Sequence, residues 1–233
     1  MRVRLGPGVQ FRPVFVGSGR VEAVPWYSVD VARGTDEFKA KTPYRGAGLG
    51  LISTGRFSFG PVGNIQAARK ESKVGAPVGT VPTTIEAGAF AQYDPSDSFR
   101  FRAQLLRGIG GHEGLIGAIG ADRIWRDGDN YVFSLGPRII LSNARFQRAY
   151  FGVTPAASLA SGLPTYRVHG GIQGVALASG MSYQLNKRWG LFGFARWERL
   201  VGQAARSPIV RQLGSRNQLS GGIGLNHTFT IHR

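Results

Sequence analysis

The sequence predicts an all-β fold: a single antiparallel up-and-down transmembrane β-barrel of about 10–12 strands, with residues 1–233 forming one domain. Three observations lead there. Apolar residues recur with a period of two rather than 3.6. The chain holds 35 glycines, roughly twice the ordinary share of ~7%, spread through apolar segments rather than gathered in a linker. The parity opposite the apolar one is built of Gly, Ala, Ser, Asn and isolated Arg. A water-facing sheet would instead carry abundant Lys, Glu, Asp and Thr, whereas small residues with lone guanidinium groups suit the inside of a narrow barrel.

Taken in chain order, strands are expected at 5–15, 24–33, 46–53, 56–68 and 84–93, with 70–83 as a long Gly, Pro and Lys-rich loop. The turn Asp94-Pro95-Ser96-Asp97 leads to Phe99, Phe101, Ala103 and Leu105, which alternate with Arg100, Arg102 and Gln104. A strand at 115–125 follows, and Asp127-Gly128-Asp129-Asn130 is the next turn. Tyr131, Phe133, Leu135, Ile139 and Leu141 then alternate with Ser134, Gly136, Arg138 and Ser142. Strands are expected at 146–153 and 166–173, and again where Val175, Leu177, Met181 and Tyr183 alternate with small residues. After Leu185-Asn186-Lys187-Arg188, a strand at 188–200 places Trp189 and Trp197 on one parity. Eight residues at ~3.3 Å, tilted ~40°, cover ~20 Å of membrane normal, close to the ~25 Å between two aromatic girdles. Phe192 and Phe194 fall on the other parity, where they would fill the lumen. Segment 201–218 is a second long loop. In the last strand, Leu219, Ile223, Leu225, Phe229 and Ile231 oppose Ser220, Asn226, Thr228 and Thr230. Short connections between long strands describe a meander, and no helical stretch of convincing length is expected. Within lipid an open sheet edge is costly, so the first and last strands must pair.

Composition excludes several function classes. Without cysteine there is no disulfide framework, no Cys-based zinc site and no thiol nucleophile. The longest quiet stretch, 114–121, is far short of a membrane-spanning helix. The formal charge is +16, from 24 arginines and 5 lysines against 13 acids. Such an excess suits a polyanionic partner, but the arginines are scattered within strands and form no nucleic-acid-binding arm. The histidines His112, His169, His227 and His232 lack metal-ligand spacing. Ser207 has neither a nearby His nor a G-x-S-x-G setting, and Asp127 and Asp129 are turn residues. Gly108-x-Gly110-Gly111 lacks the following helix of a phosphate loop. No catalytic residue, metal or cofactor is therefore assigned.

The C-terminal third carries a family likeness. Tyr150-Phe151-Gly152-Val153-Thr154 is followed by Ser161-Gly162-Leu163-Pro164-Thr165-Tyr166 and Gly170-Gly171. Tyr183-Gln184-Leu185 runs into Arg188-Trp189-Gly190-Leu191-Phe192-Gly193. Arg199-Leu200 precedes Ala204-Ala205, Ser207-Pro208-Ile209-Val210, then Gly222-Ile223-Gly224-Leu225 and Phe229. In these stretches the chain resembles the MltA-interacting protein (MipA/OmpV) family of Gram-negative outer-membrane proteins. Weaker echoes lie at Arg12-Pro13, Gly17-Ser18, Phe38-Lys39-Ala40 and Thr84-Ile85-Glu86-Ala87-Gly88. The resemblance implies a bacterial outer-membrane location and a non-enzymatic role. It implies a scaffold joining a lytic transglycosylase to a penicillin-binding protein, with lipopolysaccharide as the surrounding lipid. Gln203 and Arg206 replace acids common in the family loop. Met1-Arg2-Val3-Arg4 leads directly into the first strand without an apolar h-region, so a leader is expected to be missing from this chain.

The family-motif positions Tyr150, Phe151, Gly152, Gly162, Leu163, Pro164, Tyr166, Arg199, Leu200, Ser207 and Pro208 are the candidate interaction residues. The loop at 202–217 would either reach a partner or fold into the barrel mouth. Arg100, Arg102, Arg138, Arg196 and Glu198 are candidate lumen charges. They would stand solvated in a water-filled lumen, line an anion path, or draw lipopolysaccharide phosphates to the rim. Rival functions are a small-anion channel and a surface adhesin or stress-response envelope protein.

Overall fold

The computed structural model describes residues Met1–Thr230; the expectations at Ile231 and His232 lie outside them. A curled, almost wholly antiparallel sheet forms a barrel wall. Its first strands are β1 (Arg2–Pro13), β2 (Val21–Ala32), the short β3 (Ala47–Gly48) and β4 (Ile52–Thr54), and β5 (Phe57–Gln66). The regular meander continues through β6 (Thr84–Ser96), β7 (Phe99–Ile109), β8 (Leu115–Asp127), β9 (Tyr131–Ser142), β10 (Gly171–Gln184), β11 (Trp189–Leu200) and β12 (Asn217–Thr230). The first and last strands pair, with Val3 opposite Phe229 and Val9 opposite Ile223.

The two parities divide as the sequence predicts. On β12, Leu225 and Phe229 are 46% and 47% exposed, while Asn226 and Thr228 on the opposite face are 2% and 9% exposed. The exposed set continues around the wall through Leu177, Ile139, Ile119, Leu105 and Ile85. A contiguous apolar band of this extent is incompatible with a water-facing surface and suits acyl chains. At the end of the barrel with the short turns, Trp189, Tyr183, Tyr131, Trp125, Phe99, Tyr93 and Phe57 all project outward, forming an aromatic belt.

The inner face is small where large groups cross it. Phe192 is buried and its ring meets Trp26 of β2 at 4.8 Å, with Phe194 on the other side at 4.9 Å. A Cβ at Gly224 would collide with the Phe192 ring and with the Pro7 carbonyl. Glycine therefore permits aromatic filling of the lumen there.

Three expected strands and the absence of helices need correction. The expected strand at 146–153 is a helix, α2 (Ala144–Phe151), and 166–173 holds only an isolated Val153–Tyr166 bridge before β10 begins. Asn143 caps α2 by accepting from the Phe146 N–H at 3.0 Å, which supplies one of the donors a helix start leaves free. Phe146 and Tyr150, one turn apart, then bury the same face. Segment 201–218 likewise contains α4 (Gly202–Arg206) and α5 (Pro208–Leu213), while 143–170 also holds α3 (Pro155–Ser161). The 70–83 loop contains one helical turn, α1 (Glu71–Val74).

The expected strand at 46–53 is the interrupted pair β3 and β4, and the cause is topological. Both β2 and β3–β4 run toward the short-turn end, as their pairings with β1 and β5 require. The chain must therefore return between them, and residues 33–46 do so inside the barrel. No ladder joins β2 to β3, β4 or β5 among the described residues. The wall thus carries one seam, on the side where the inner segment leaves the lumen.

Candidate functional site

The lumen is occupied by the chain itself. Phe38 enters near the short-turn end, where its N–H donates to Asp129 Oδ1 at 2.9 Å and the Arg4 guanidinium lies 3.9 Å from its ring centroid. Arg100 Nη1 donates to the Ala40 carbonyl at 2.5 Å, and Ser134 Oγ donates to the Lys41 carbonyl at 3.2 Å. Arg126 Nη2 donates to the Phe38 carbonyl at 3.2 Å. Higher up, Tyr44 lies between two guanidinium groups, Arg138 at 4.1 Å and Arg102 at 5.2 Å from its ring centroid. Arg4, Arg100, Arg102, Arg126 and Arg138 are thus wall groups that grip an inner segment through its carbonyls and aromatic rings.

Much of the charge in the lumen is paired, although Arg102 and Arg4 meet the neutral side chains of Gln92, and of Thr228 and Gln184, rather than an acid. Arg138 Nη2 meets Asp122 Oδ1 at 2.6 Å, and both side chains are almost completely buried. Arg196 meets Glu198 at 2.5 Å, and Arg100 meets Asp94 at 2.9 Å. Arg45, at the top of the inner segment, donates through Nε and Nη2 to the two oxygens of buried Glu86, each at 2.6 Å. Glu86 also accepts from Asn64 at 2.6 Å. His112 Nδ1 accepts from the Gly114 N–H at 2.9 Å, so the ring proton sits on Nε2 and is donated to Glu86 Oε1 at 2.9 Å. Sequence reasoning missed Tyr44, Arg45, Asp122 and His112, because nothing local marks a residue that pairs only across the lumen.

Above the inner segment, the long loops fold into a helical cap. Phe146, Tyr150, Phe151, Leu200, Ala204, Ile209 and Val210 are all at or below 1% exposure. Complete burial of an aromatic or branched side chain stabilises the fold by ~2 kcal/mol each. Ser207 Oγ donates to the Phe151 carbonyl at 2.7 Å. Tyr166 bridges Val153 through paired backbone hydrogen bonds, and its hydroxyl donates to the Gln203 carbonyl at 2.9 Å. Gly162 ends α3 at φ 74, a left-handed conformation that favours glycine. Leu163 is buried and Pro164 exposed. Gly152 closes α2, and Pro208 opens α5. Of the motif positions, Arg199 stands apart: it points outward from β11 and touches Asn217 at 3.3 Å.

Arg69 locks the 70–83 loop onto this cap. It is 2% exposed and donates to the carbonyls of Tyr150, Val78 and Gly79 at 2.9, 3.3 and 3.0 Å. Burial pushes its guanidinium down to about 10 and the Tyr150 phenol up to about 12; at neutral pH Arg69 is charged and Tyr150 is not. Between inner segment and cap lies a cavity of about 180 Å³, bordered by Arg45, Gln104, Gln173, Arg196, Glu198 and Gln218. Among the described residues no group of His, Asp and Glu has metal-site geometry.

The model of one protein family, described as MltA-interacting protein MipA, matches residues 5–229. The chain belongs to the MipA family. It is an outer-membrane β-barrel, and the match extends the likeness of the C-terminal third to almost the whole chain. No curated protein matches it. Similar solved structures include the Neisserial surface protein A, 11% identical over 99% of this chain and 97% of that one, with a TM-score of 0.31. A bacterial polysaccharide outer membrane secretin is 8% identical over 99% and 98%, with a TM-score of 0.45. A Pseudomonas aeruginosa FadL homologue is 9% identical over 99% and 89%, with a TM-score of 0.37.

Proposed function

We propose that this MipA-family barrel is a non-catalytic, non-conducting docking platform for murein enzymes. The observation that carries the reading is the occupied lumen. Residues 33–46 fill its lower half and the helical cap closes its upper end, so flux through the pore is not its work. What remains is surface. In outer-membrane barrels the short turns face the periplasm, and that end presents the hairpin turns beside Asp94, Asp129 and Lys187 together with the entry of the inner segment near Phe38. The family name supports a lytic transglycosylase as one partner, and a penicillin-binding protein would be the second.

The motif residues Tyr150, Phe151, Ser207 and Pro208 serve in this reading as the core of the cap, not as contacts. They stand at the end remote from the murein. The test is a pull-down from envelope extracts with the full chain as bait. Recovery of a lytic transglycosylase or a penicillin-binding protein supports the platform, and recovery of neither class removes it.

A further inference from the structure

The two ends of the barrel differ in charge. The loops at the capped end, 14–20, 67–83, 110–114, 143–170 and 201–216, hold ten arginines and lysines against two acids, Glu71 and Glu113. The hairpin turns at the other end, 55–56, 97–98, 128–130 and 185–188, hold three cations and two acids, with Asp94 and Asp127 beside them. The aromatic belt is uneven in the same sense. It is dense at the short-turn end, whereas Phe11 and Trp197 are the aromatic residues pointing outward near the capped end. In the place of the second belt stand two outward guanidinium groups.

Arg107 lies two residues before the end of β7, on the lipid-facing parity between exposed Leu105 and Ile109, opposite Ala87 of β6 and Leu115 of β8 in the ladder. Among the described residues its guanidinium has no ion-pair or hydrogen-bond partner. Arg199 occupies the equivalent position beside the last residue of β11, between exposed Trp197 and the cap. An arginine at the upper edge of an apolar band is desolvated on the acyl side and turns its fork to the headgroup side. The Arg107 fork is free there, while Arg199 already donates through Nη1 to Asn217 at 3.3 Å and keeps Nη2 and Nε for a further acceptor. A phosphate there gives each a bidentate, charge-assisted partner. Exposed Arg148, Arg167 and Arg211 add to the field above the same rim.

We infer that the capped rim of this barrel binds the phosphate groups of lipid A, the anchor of outer-leaflet lipopolysaccharide, through Arg107 and Arg199. The inference is independent of any murein partner. It also fixes the barrel's orientation, with the cap toward the lipopolysaccharide leaflet.

The experiment is native mass spectrometry of the full chain in detergent, titrated with bisphosphorylated lipid A and with the same lipid dephosphorylated. The phosphorylated form should bind at least about tenfold more tightly, and added salt should narrow the gap. Arg107→Gln with Arg199→Gln should remove most of this preference. Arg56→Gln with Arg188→Gln, at the other end, should preserve it. Heat-modifiable gel mobility confirms that each variant is folded. The proposal is overturned by equal binding of the two lipids, by an unchanged preference in the Arg107/Arg199 variant, or by an equal loss in the control variant.

Discussion

The Arg138 guanidinium lies against the Tyr44 ring, 4.1 Å from its centroid. One residue belongs to the wall and the other to the inner segment, so this contact joins the barrel to its own filling. A stacked guanidinium of this kind contributes ~1–2 kcal/mol when desolvated. Tyr44→Ala should leave the wall folded and loosen the segment. In planar bilayers the native protein should be silent, and the variant should show brief flickering currents. Sustained steps from the native protein would count against an occluded lumen.

Arg138 also holds Asp122, at 2.6 Å and out of solvent. Removing one partner of a buried pair leaves the other charge unmatched, at a cost of ~3–5 kcal/mol. Arg138→Leu should therefore lower the temperature at which the barrel loses its fast-migrating gel form. Adding Asp122→Leu should restore much of the loss. If the double variant is no more stable than Arg138→Leu, the penalty does not come from an orphaned carboxylate.

The wall was legible in the sequence because one chemistry, lipid, lies along the whole outer parity. Leu219, Ile223, Leu225 and Phe229 each report it independently of any distant contact. The cap was hidden by brevity: its helices run four to eight residues, too few for a 3.6 period to emerge. Signals for them do exist in the capping residues, with Asn143 before α2, Thr154-Pro155 at α3 and Gly162 at its end. The inner segment left no periodic trace, since its contacts, such as Tyr44 with Arg102 and Arg138, come from strands far apart in the chain.

Gly108 illustrates a motif whose meaning changed. Within Gly108-x-Gly110-Gly111 it cradles no phosphate; a Cβ there would enter the His112 ring. Gly108→Ala should displace His112 from Glu86 and destabilise the fold by ~1–3 kcal/mol. His112→Ala in the same chain should relieve the crowding, so the two changes should be less than additive in urea unfolding. Strict additivity would mean that the ring is not the obstacle.

Arg69 is the pin of the 70–83 loop, with three carbonyl acceptors. Lysine cannot reproduce the planar fork. Both Arg69→Lys and Arg69→Met should expose Lys70 and Lys73 to trypsin, with cleavage at least several-fold faster than in the native protein, which should resist. Equal cleavage rates in all three proteins would show that the loop is held by other contacts.

The central claim is that the apolar parity meets lipid while the small and polar parity faces an interior filled by the protein itself. The chain has no cysteine, so single cysteines at Leu225 and Asn226 can be labelled cleanly with a fluorophore and reconstituted in vesicles carrying a quencher on the lipid tails. The account predicts strong quenching at position 225 and little at its neighbour 226. Quenching at 226 with protection at 225 would contradict it.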